Sequence, residues 1–320
     1  MALFKNINSK AKTTVNTGFG ENAASYGGRF LNKSGQANIR KTGLGFFEKY
    51  SWFHSMLAIS WTRFFLIVLL FYIVVNIFFA AIYYLLGVEH LSGMNTVSES
   101  EKFAEAFFFS TQTFTTVGYG RISPTGIITS AIAALQALMG LLSFAVATGL
   151  MYGRFSKPVA YIKFSHNALI APYKNGKALM LRISPYKNTM LSDAEVKLTA
   201  AIVTQEEGKN TNRFYQLELE LEKINTLNLS WTVVHPITDD SPFINFTEAD
   251  YTTLTGEVII FLKAFDDMFS NTVVARSSYT FAEIKYGARF VPMYHRDISQ
   301  SGTILDLGKL NHFERIELPT

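Results

Sequence analysis

Five consecutive residues, Thr116, Val117, Gly118, Tyr119 and Gly120, carry the most specific chemistry in this 320-residue chain. Two glycines alternating with bulky residues suit a segment in which backbone carbonyls, rather than side chains, make the contacts. Gly118 and Gly120 permit conformations that a Cβ obstructs, so successive carbonyls can turn to one side. Closely spaced carbonyls can replace the hydration shell of a cation that must shed its water, and the Thr116 hydroxyl adds an oxygen to the innermost site. Val117 and Tyr119 would then face away and pack behind the segment. Gln112, Thr115 and Arg121 flank it as candidate supports. A Gly-rich turn is the plainer alternative, and the surrounding elements decide between the two.

Residues 64–86 form an uncharged run of 23, and residues 127–152 another of 26. At 1.5 Å per residue the shorter run spans roughly 34 Å, enough to cross a bilayer core with some tilt. Trp61 and Arg63 at one end, with Tyr83 and Tyr84 at the other, are suited to the interfaces. Two membrane helices are expected, an outer one over about 61–86 and an inner one over about 127–155. Between them, residues 103–114 are apolar and predict a short pore helix leading into 115–120. Non-helical backbone at membrane depth is tolerated only where it lines a water-filled path. A cleaved signal peptide is not expected, because the first run begins late and is too long.

The composition agrees with a chain in two parts. Charged residues make up 17%, hydrophobic residues 48%, and mean hydropathy is +0.16. That hydropathy fits neither a soluble enzyme nor a chain made only of membrane helices. With no cysteine, disulfides and Cys-ligated metal sites are excluded. The net charge of +4 is unevenly spread: +7 over residues 1–63, −2 over 87–126, +3 over 154–163 and −4 over 164–320. Basic flanks outside both spans predict cytoplasmic termini and an external 87–126 loop. Nucleic acid is a poor partner for charges clustered beside apolar segments. Phe46, Tyr50, Phe53 and Leu57 fall at helical spacing and predict an interfacial helix over 45–60, an ordinary surface helix being the alternative. Residues 1–44 are polar and read as a mobile cytoplasmic tail.

After Pro158 the period changes to two. Residues 216–222 alternate Leu with Gln or Glu, and further strand-like runs cover 178–183, 196–204, 229–234, 257–262 and 272–279. Turn signals such as Asn175-Gly176 and Asp239-Asp240-Ser241-Pro242 separate them. A β-sandwich over 158–320 is expected. The six histidines show no metal spacing, no nucleophile–base pair or phosphate loop appears, and an enzyme is not expected.

The pentapeptide reads TVGYG, the selectivity-filter signature of potassium channels. From about residue 45 onward the chain resembles the inward-rectifier potassium channels, especially their bacterial members. The likeness runs through Phe107-Phe108-Phe109-Ser110, Arg154-Phe155-Ser156-Lys157-Pro158 and His235-Pro236-Ile237. It continues through Asp239-Asp240-Ser241-Pro242, Ala275-Arg276-Ser277-Ser278-Tyr279 and Gly287-Ala288-Arg289-Phe290-Val291-Pro292. The resemblance implies a two-span pore module fused to an immunoglobulin-like cytoplasmic sandwich in a bacterial plasma membrane. It also implies K+ held at Thr116, Val117, Gly118 and Tyr119. One chain supplies one filter strand and a closed ring needs four, so a homotetramer is expected.

Gly140 falls where the family has a flexible inner-helix glycine, with close helix packing as an equal reading. Steps of one and two turns reach Phe144 and Thr148, then Met151 and Tyr152. Four rings converging at Tyr152 would exclude water, and Met151 is the alternative gate. Strong rectifiers place an acid in the cavity to hold internal Mg2+ or polyamines. Here Phe144 takes the matching position, and Lys263 stands where relatives often carry an acid near the cytoplasmic pore, so the expected block is weak. Many relatives pair a pore-helix Glu with an Arg after the filter. With Gln112 at the first position and Arg121 at the second, a hydrogen bond from Gln112 to the filter backbone becomes the expected brace. Arg63, Arg154, Lys157 and Lys163 should gather at the inner headgroups, through topology alone or as an anionic-lipid site. In the loop 266–273, Met268 and Phe269 are candidates for a second constriction. Glu218, Glu220 and Glu222 share a face that is either solvated or lines a cation vestibule. Two rivals remain: a membrane-tethered ligand-binding sandwich, and a poorly selective cation pore. The filter segment speaks against both.

Overall fold

The computed structural model describes residues 6–14, 29–43, 45, 51–95, 98–206, 209–296 and 302–319. The chain divides into a helical unit, Thr42–Lys157, and a β unit made of Met1–Lys41 and Pro158–Thr320.

The helical unit runs α1 (Trp52–Ala58), α2 (Trp61–Leu86), β1 (Leu91–Ser92), α3 (Glu99–Phe114), β2 (Ser123–Pro124) and α4 (Ile127–Phe155). Helix α1 is capped by Ser51, whose hydroxyl accepts the His54 N–H. It covers part of the expected interfacial helix, of which Phe46 and Tyr50 lie outside the described residues. Helices α2 and α4 have 26 and 29 residues and are long and apolar enough to cross a membrane. Gly87 ends α2 at φ 104°, where a Cβ would overlap the Glu89 carboxylate. Pro158 lies just beyond the end of α4 and disfavours its continuation.

Helix α3 starts four residues earlier than the apolar pattern predicts. The Ser98 hydroxyl accepts the Glu101 N–H at 3.4 Å, and the Glu101 carboxylate accepts the Ser98 N–H at 3.5 Å. This capping box satisfies orphan amides and extends the helix with a polar turn that hydropathy cannot see. Phe79, Ala80, Tyr83, Ala106, Phe109 and Ala133 form the core where α2, α3 and α4 meet.

The β unit holds β3 (Ile162–Phe164), β4 (Ala168–Tyr173), β5 (Gly176–Pro185), β6 (Leu191–Glu206), β7 (Lys209–Leu217), β8 (Lys223–Thr226) and β9 (Trp231–Pro236). It continues with α5 (Glu248–Thr253), β10 (Gly256–Asp266), β11 (Asn271–Thr280), β12 (Ile284–Tyr286) and β13 (Ala288–Phe290). The last strands are β14 (Tyr294–Arg296), β15 (Thr303–Leu305) and β16 (Phe313–Arg315). One sheet is ordered β11-β10-β6-β7 with β8 also on β6, and the other β12-β4-β5-β3 with β9 also on β5. Alternate residues of β6 (Val196, Leu198, Ala200), β10 (Val258, Ile260, Leu262) and β5 (Leu179, Leu181, Ile183) are buried in one core. Period-two alternation thus yields the expected sandwich.

Two expectations change. Residues 216–222 are not one strand: β7 ends at Leu217, and the next five residues leave the ladder. The Glu220 N–H bonds the Val234 carbonyl, while the Glu222 carbonyl accepts from Val196, so the alternating segment bridges two different strands. The described parts of the N-terminal stretch are also not a loose tail. The Thr14 N–H bonds the Phe214 carbonyl on β7, and Phe30 and Leu31 are buried. The buried Glu257 carboxylate accepts the N–H groups of Phe30 (2.6 Å) and Leu31 (3.2 Å). Arg29 bonds the Ser278 carbonyl at 2.5 Å and the Glu283 carboxylate at 3.1 Å. Isolated apolar residues and backbone amides anchor a segment that composition marks as polar.

Candidate ion-conduction site

The filter segment follows α3 directly, and the last turn of that helix holds it. The Thr115 N–H bonds the Thr111 carbonyl at 3.0 Å, Thr116 bonds that of Thr113 at 3.1 Å, and Val117 bonds that of Gln112 at 3.0 Å. The Thr115 hydroxyl adds a bond to the Thr111 carbonyl at 2.7 Å. Gln112 therefore supports the filter through its backbone carbonyl. Thr116, Gly118 and Gly120 have φ of 57°, 55° and 81°, whereas Val117 and Tyr119 keep ordinary negative φ. This alternation lets consecutive peptide planes face one side instead of alternating as in a strand. For the β-branched Thr116 the left-handed conformation stores about 1–3 kcal/mol of strain, of the kind found at functional sites. Glycine placement foretold two of the three positions and missed Thr116. Val117 and Tyr119 are 53% and 78% exposed within the chain.

Beyond the filter, Arg121 pairs with Glu105 at 2.9 Å. The ion pair that Gln112 cannot make is thus made by a different α3 glutamate, one that spacing alone did not single out. The strand pair β1–β2 and the Thr125 N–H on the His90 carbonyl (2.8 Å) stitch the segment to the loop after α2. A Cβ at Gly93 would overlap the Arg121 carbonyl, so the two loops touch closely.

Behind α3, Asn76, Tyr83, Ser110 and Gln136 are fully buried and hydrogen-bonded to one another. The uncharged runs singled out neither Asn76 nor Gln136, and the apolar pattern passed over Ser110. A lone polar residue at span depth, which marks function more often than lipid contact, was the available signal.

On the inner helix, Gly140 is buried, and a Cβ there would overlap the Phe114 carbonyl. Of its two readings, this is the geometry of close packing. Phe144, Thr148 and Tyr152 follow at four-residue steps with exposed side chains, Phe144 at 72% and Tyr152 at 74%, while Met151 is half-buried. Of the two gate candidates, Tyr152 is the one whose ring is free within the chain.

The four basic residues do not behave alike. Arg63 and Lys157 are exposed. Arg154 instead donates to the carbonyls of Met56 (2.5 Å) and Ile59 (2.7 Å) at the end of α1, and its guanidinium lies 4.5 Å from the Trp61 ring centre. A cation bonded to terminal carbonyls also complements the α1 dipole. Lys163 belongs to the β unit, with its ammonium 5.3 Å from the centre of the Tyr186 ring.

In the β unit, Lys263 is exposed on β10, opposite Glu195 of β6 and Val274 of β11. Met268 and Phe269 lie in the turn between β10 and β11 and are exposed. Their N–H groups bond the buried Asp266 carboxylate at 3.0 and 3.3 Å, a cap the sequence reading missed despite its Asx-turn spacing. Glu218, Glu220 and Glu222 are exposed, and Glu220 accepts the Tyr173 hydroxyl. His235 is buried between the Glu218 carbonyl (2.6 Å) and the Ser241 hydroxyl (2.8 Å), and burial lowers its pKa to about 4. It is therefore a neutral core histidine.

Comparison with known proteins follows these two units. Residues 67–157 match the ion channel family model, and residues 162–320 match the inward rectifier potassium channel C-terminal domain. The chain is 32% identical over 290 residues to the inward rectifier potassium channel Kirbac3.1 of Paramagnetospirillum magnetotacticum, covering 88% of this chain and 95% of that one. It is 27% identical to the Gallus gallus ATP-sensitive inward rectifier potassium channel 12, over 85% of this chain and 68% of that one. It is 26% identical to the Bos taurus G protein-activated inward rectifier potassium channel 4, over 83% and 68%. With two apolar spans around a backbone-lined segment, a β domain following them in sequence and a relative matched almost end to end, the chain belongs to the inward rectifier potassium channel family.

Proposed function

We propose that four copies of this chain form a K+-selective channel in which each contributes one filter strand. The carrying observation is the alternation of left-handed backbone at Thr116, Gly118 and Gly120, immediately after the C-terminal end of α3. That helix end carries about half a negative charge and favours a cation beside it. Carbonyls there, with the Thr116 hydroxyl, replace water around K+ at Thr116, Val117, Gly118 and Tyr119. The exposed Val117 and Tyr119 support fourfold assembly, because in a ring neighbouring subunits cover them.

Tyr152 closes the inner mouth by excluding water, and Met268 and Phe269 narrow the cytoplasmic path. Phe144 leaves the cavity without an acid, so internal Mg2+ and polyamines block weakly. Arg63, Lys157 and Lys163 meet anionic headgroups at the inner leaflet, and both termini are cytoplasmic. A tether for a ligand-binding sandwich has no use for a strained filter segment.

Potassium flux into liposomes tests the reading. Wild-type tetramers should show K+-selective, barium-blocked uptake, and Gly118→Ala should abolish it, because a Cβ disfavours the φ of 55°.

A further inference from the structure

The buried polar residues behind α3 form a single directed chain. The Tyr83 hydroxyl donates to Gln136 Oε1 at 2.7 Å. Gln136 Nε2 donates to the Ser110 carbonyl at 3.0 Å and to its hydroxyl at 2.6 Å. The Ser110 hydroxyl donates to Asn76 Oδ1 at 2.9 Å, and Asn76 Nδ2 donates to the Tyr72 carbonyl at 2.8 Å. All three long helices take part: α2 through Tyr72, Asn76 and Tyr83, α3 through Ser110, and α4 through Gln136. At membrane depth a released polar group finds no water, so a break anywhere leaves an unpaired donor or acceptor. Such a chain has one satisfied register and penalises the others.

The neighbouring contacts keep that register. One turn beyond Gln136, Gly140 lies against the Phe114 carbonyl, and Phe114 is itself one turn beyond Ser110. The i, i+4 pair Gln136 and Gly140 on α4 therefore meets the i, i+4 pair Ser110 and Phe114 on α3. On the other side, the Tyr72 ring packs edge-on against Phe114 at 6.0 Å and Tyr83 against Phe109 at 5.0 Å. The residues between Ser110 and Phe114 are Thr111, Gln112 and Thr113, whose carbonyls receive the amides of Thr115, Thr116 and Val117. A shift of α3 along its axis is thus transmitted to the filter backbone.

We propose that Gln136, acting through Ser110, is a positioning residue that holds α3 at the height where the filter carbonyls discriminate K+ from Na+. This rests on the channel reading above and adds to it the device that sets selectivity. The Arg121–Glu105 ion pair secures the filter exit, whereas the chain from Tyr83 to Tyr72 secures its inner base.

The test is the Na+/K+ permeability ratio of tetramers in liposomes, at matched protein loading. Gln136→Met keeps the volume and removes both polar ends, and should raise the ratio by about tenfold, the effect of losing one to two buried hydrogen bonds. Tyr83→Phe orphans only Gln136 Oε1 and leaves the Gln136–Ser110 bonds in place, so it should raise the ratio by less than Gln136→Met does. A Gln136→Met tetramer with the wild-type ratio overturns the proposal. If that variant does not assemble, Ser110→Ala is read by the same ratio, with the same two outcomes. A wild-type tetramer lacking K+-selective flux would instead remove the channel reading, and this proposal with it.

Discussion

Arg154 shows how a residue type can point to the wrong partner. A guanidinium at the end of a membrane span, near Lys157, suggests a headgroup ligand. Its donors instead reach the Met56 and Ile59 carbonyls, and its guanidinium carbon lies 4.5 Å from the Trp61 ring centre. Arg154→Lys keeps the charge and loses the planar fork. The expected result is binding to anionic vesicles within twofold of wild type, with tetramer stability lowered by about 1 kcal/mol in thermal unfolding. A loss of vesicle binding with unchanged stability would return Arg154 to the lipid site. Lys157→Ala should show the opposite pattern, weakening vesicle binding with little effect on stability.

Among the elements, the inner helix offers the clearest choice between a hinge and a packing contact. A Cβ at Gly140 meets the Phe114 carbonyl, so Gly140→Ala should destabilise the tetramer by about 1–3 kcal/mol and lower barium-sensitive flux together. A pure hinge would lose flux at unchanged melting temperature. The long elements were legible in the sequence because their cause is local: 26 and 29 residues of helix follow from uncharged apolar runs, and the sandwich from alternation. The segment 116–120 was legible because its left-handed backbone calls for glycine at fixed spacing. Ser110, Gln136 and Asn76 were not, since their significance exists only where three helices converge. Glu105 was missed for a similar reason, as its reach to Arg121 depends on how α3 and the filter exit fold back together. Residues 218–222 leave the ladder of β7 and bond to two other strands, which alternation does not encode. The docking of Phe30 and Leu31 on Glu257 was likewise invisible, because an acid 226 or more residues away supplies the acceptor.

At the scale of the whole molecule, the two units answer to different conditions. The β unit buries His235 with a pKa of about 4, below its ordinary value of 6.5, because burial disfavours the charged ring. The folded unit therefore binds fewer protons than the unfolded chain between these values. The stabilisation is fully present above about pH 6.5 and declines as pH falls toward about 4, by at most about 3 kcal/mol. Hydrogen exchange of β9 in the full-length protein should show protection falling across that window, and His235→Gln should flatten the trend. Protection independent of pH in the wild type would contradict it.

In the helical unit, the strained backbone after α3 is proposed to select K+ in a ring of four. Potassium uptake by liposomes holding assembled tetramers tests it most directly. Barium-blocked, K+-over-Na+ uptake is expected in the wild type and none in Gly118→Ala at equal tetramer content. Selective uptake that survives Gly118→Ala, or wild-type tetramers that pass no potassium, would contradict it.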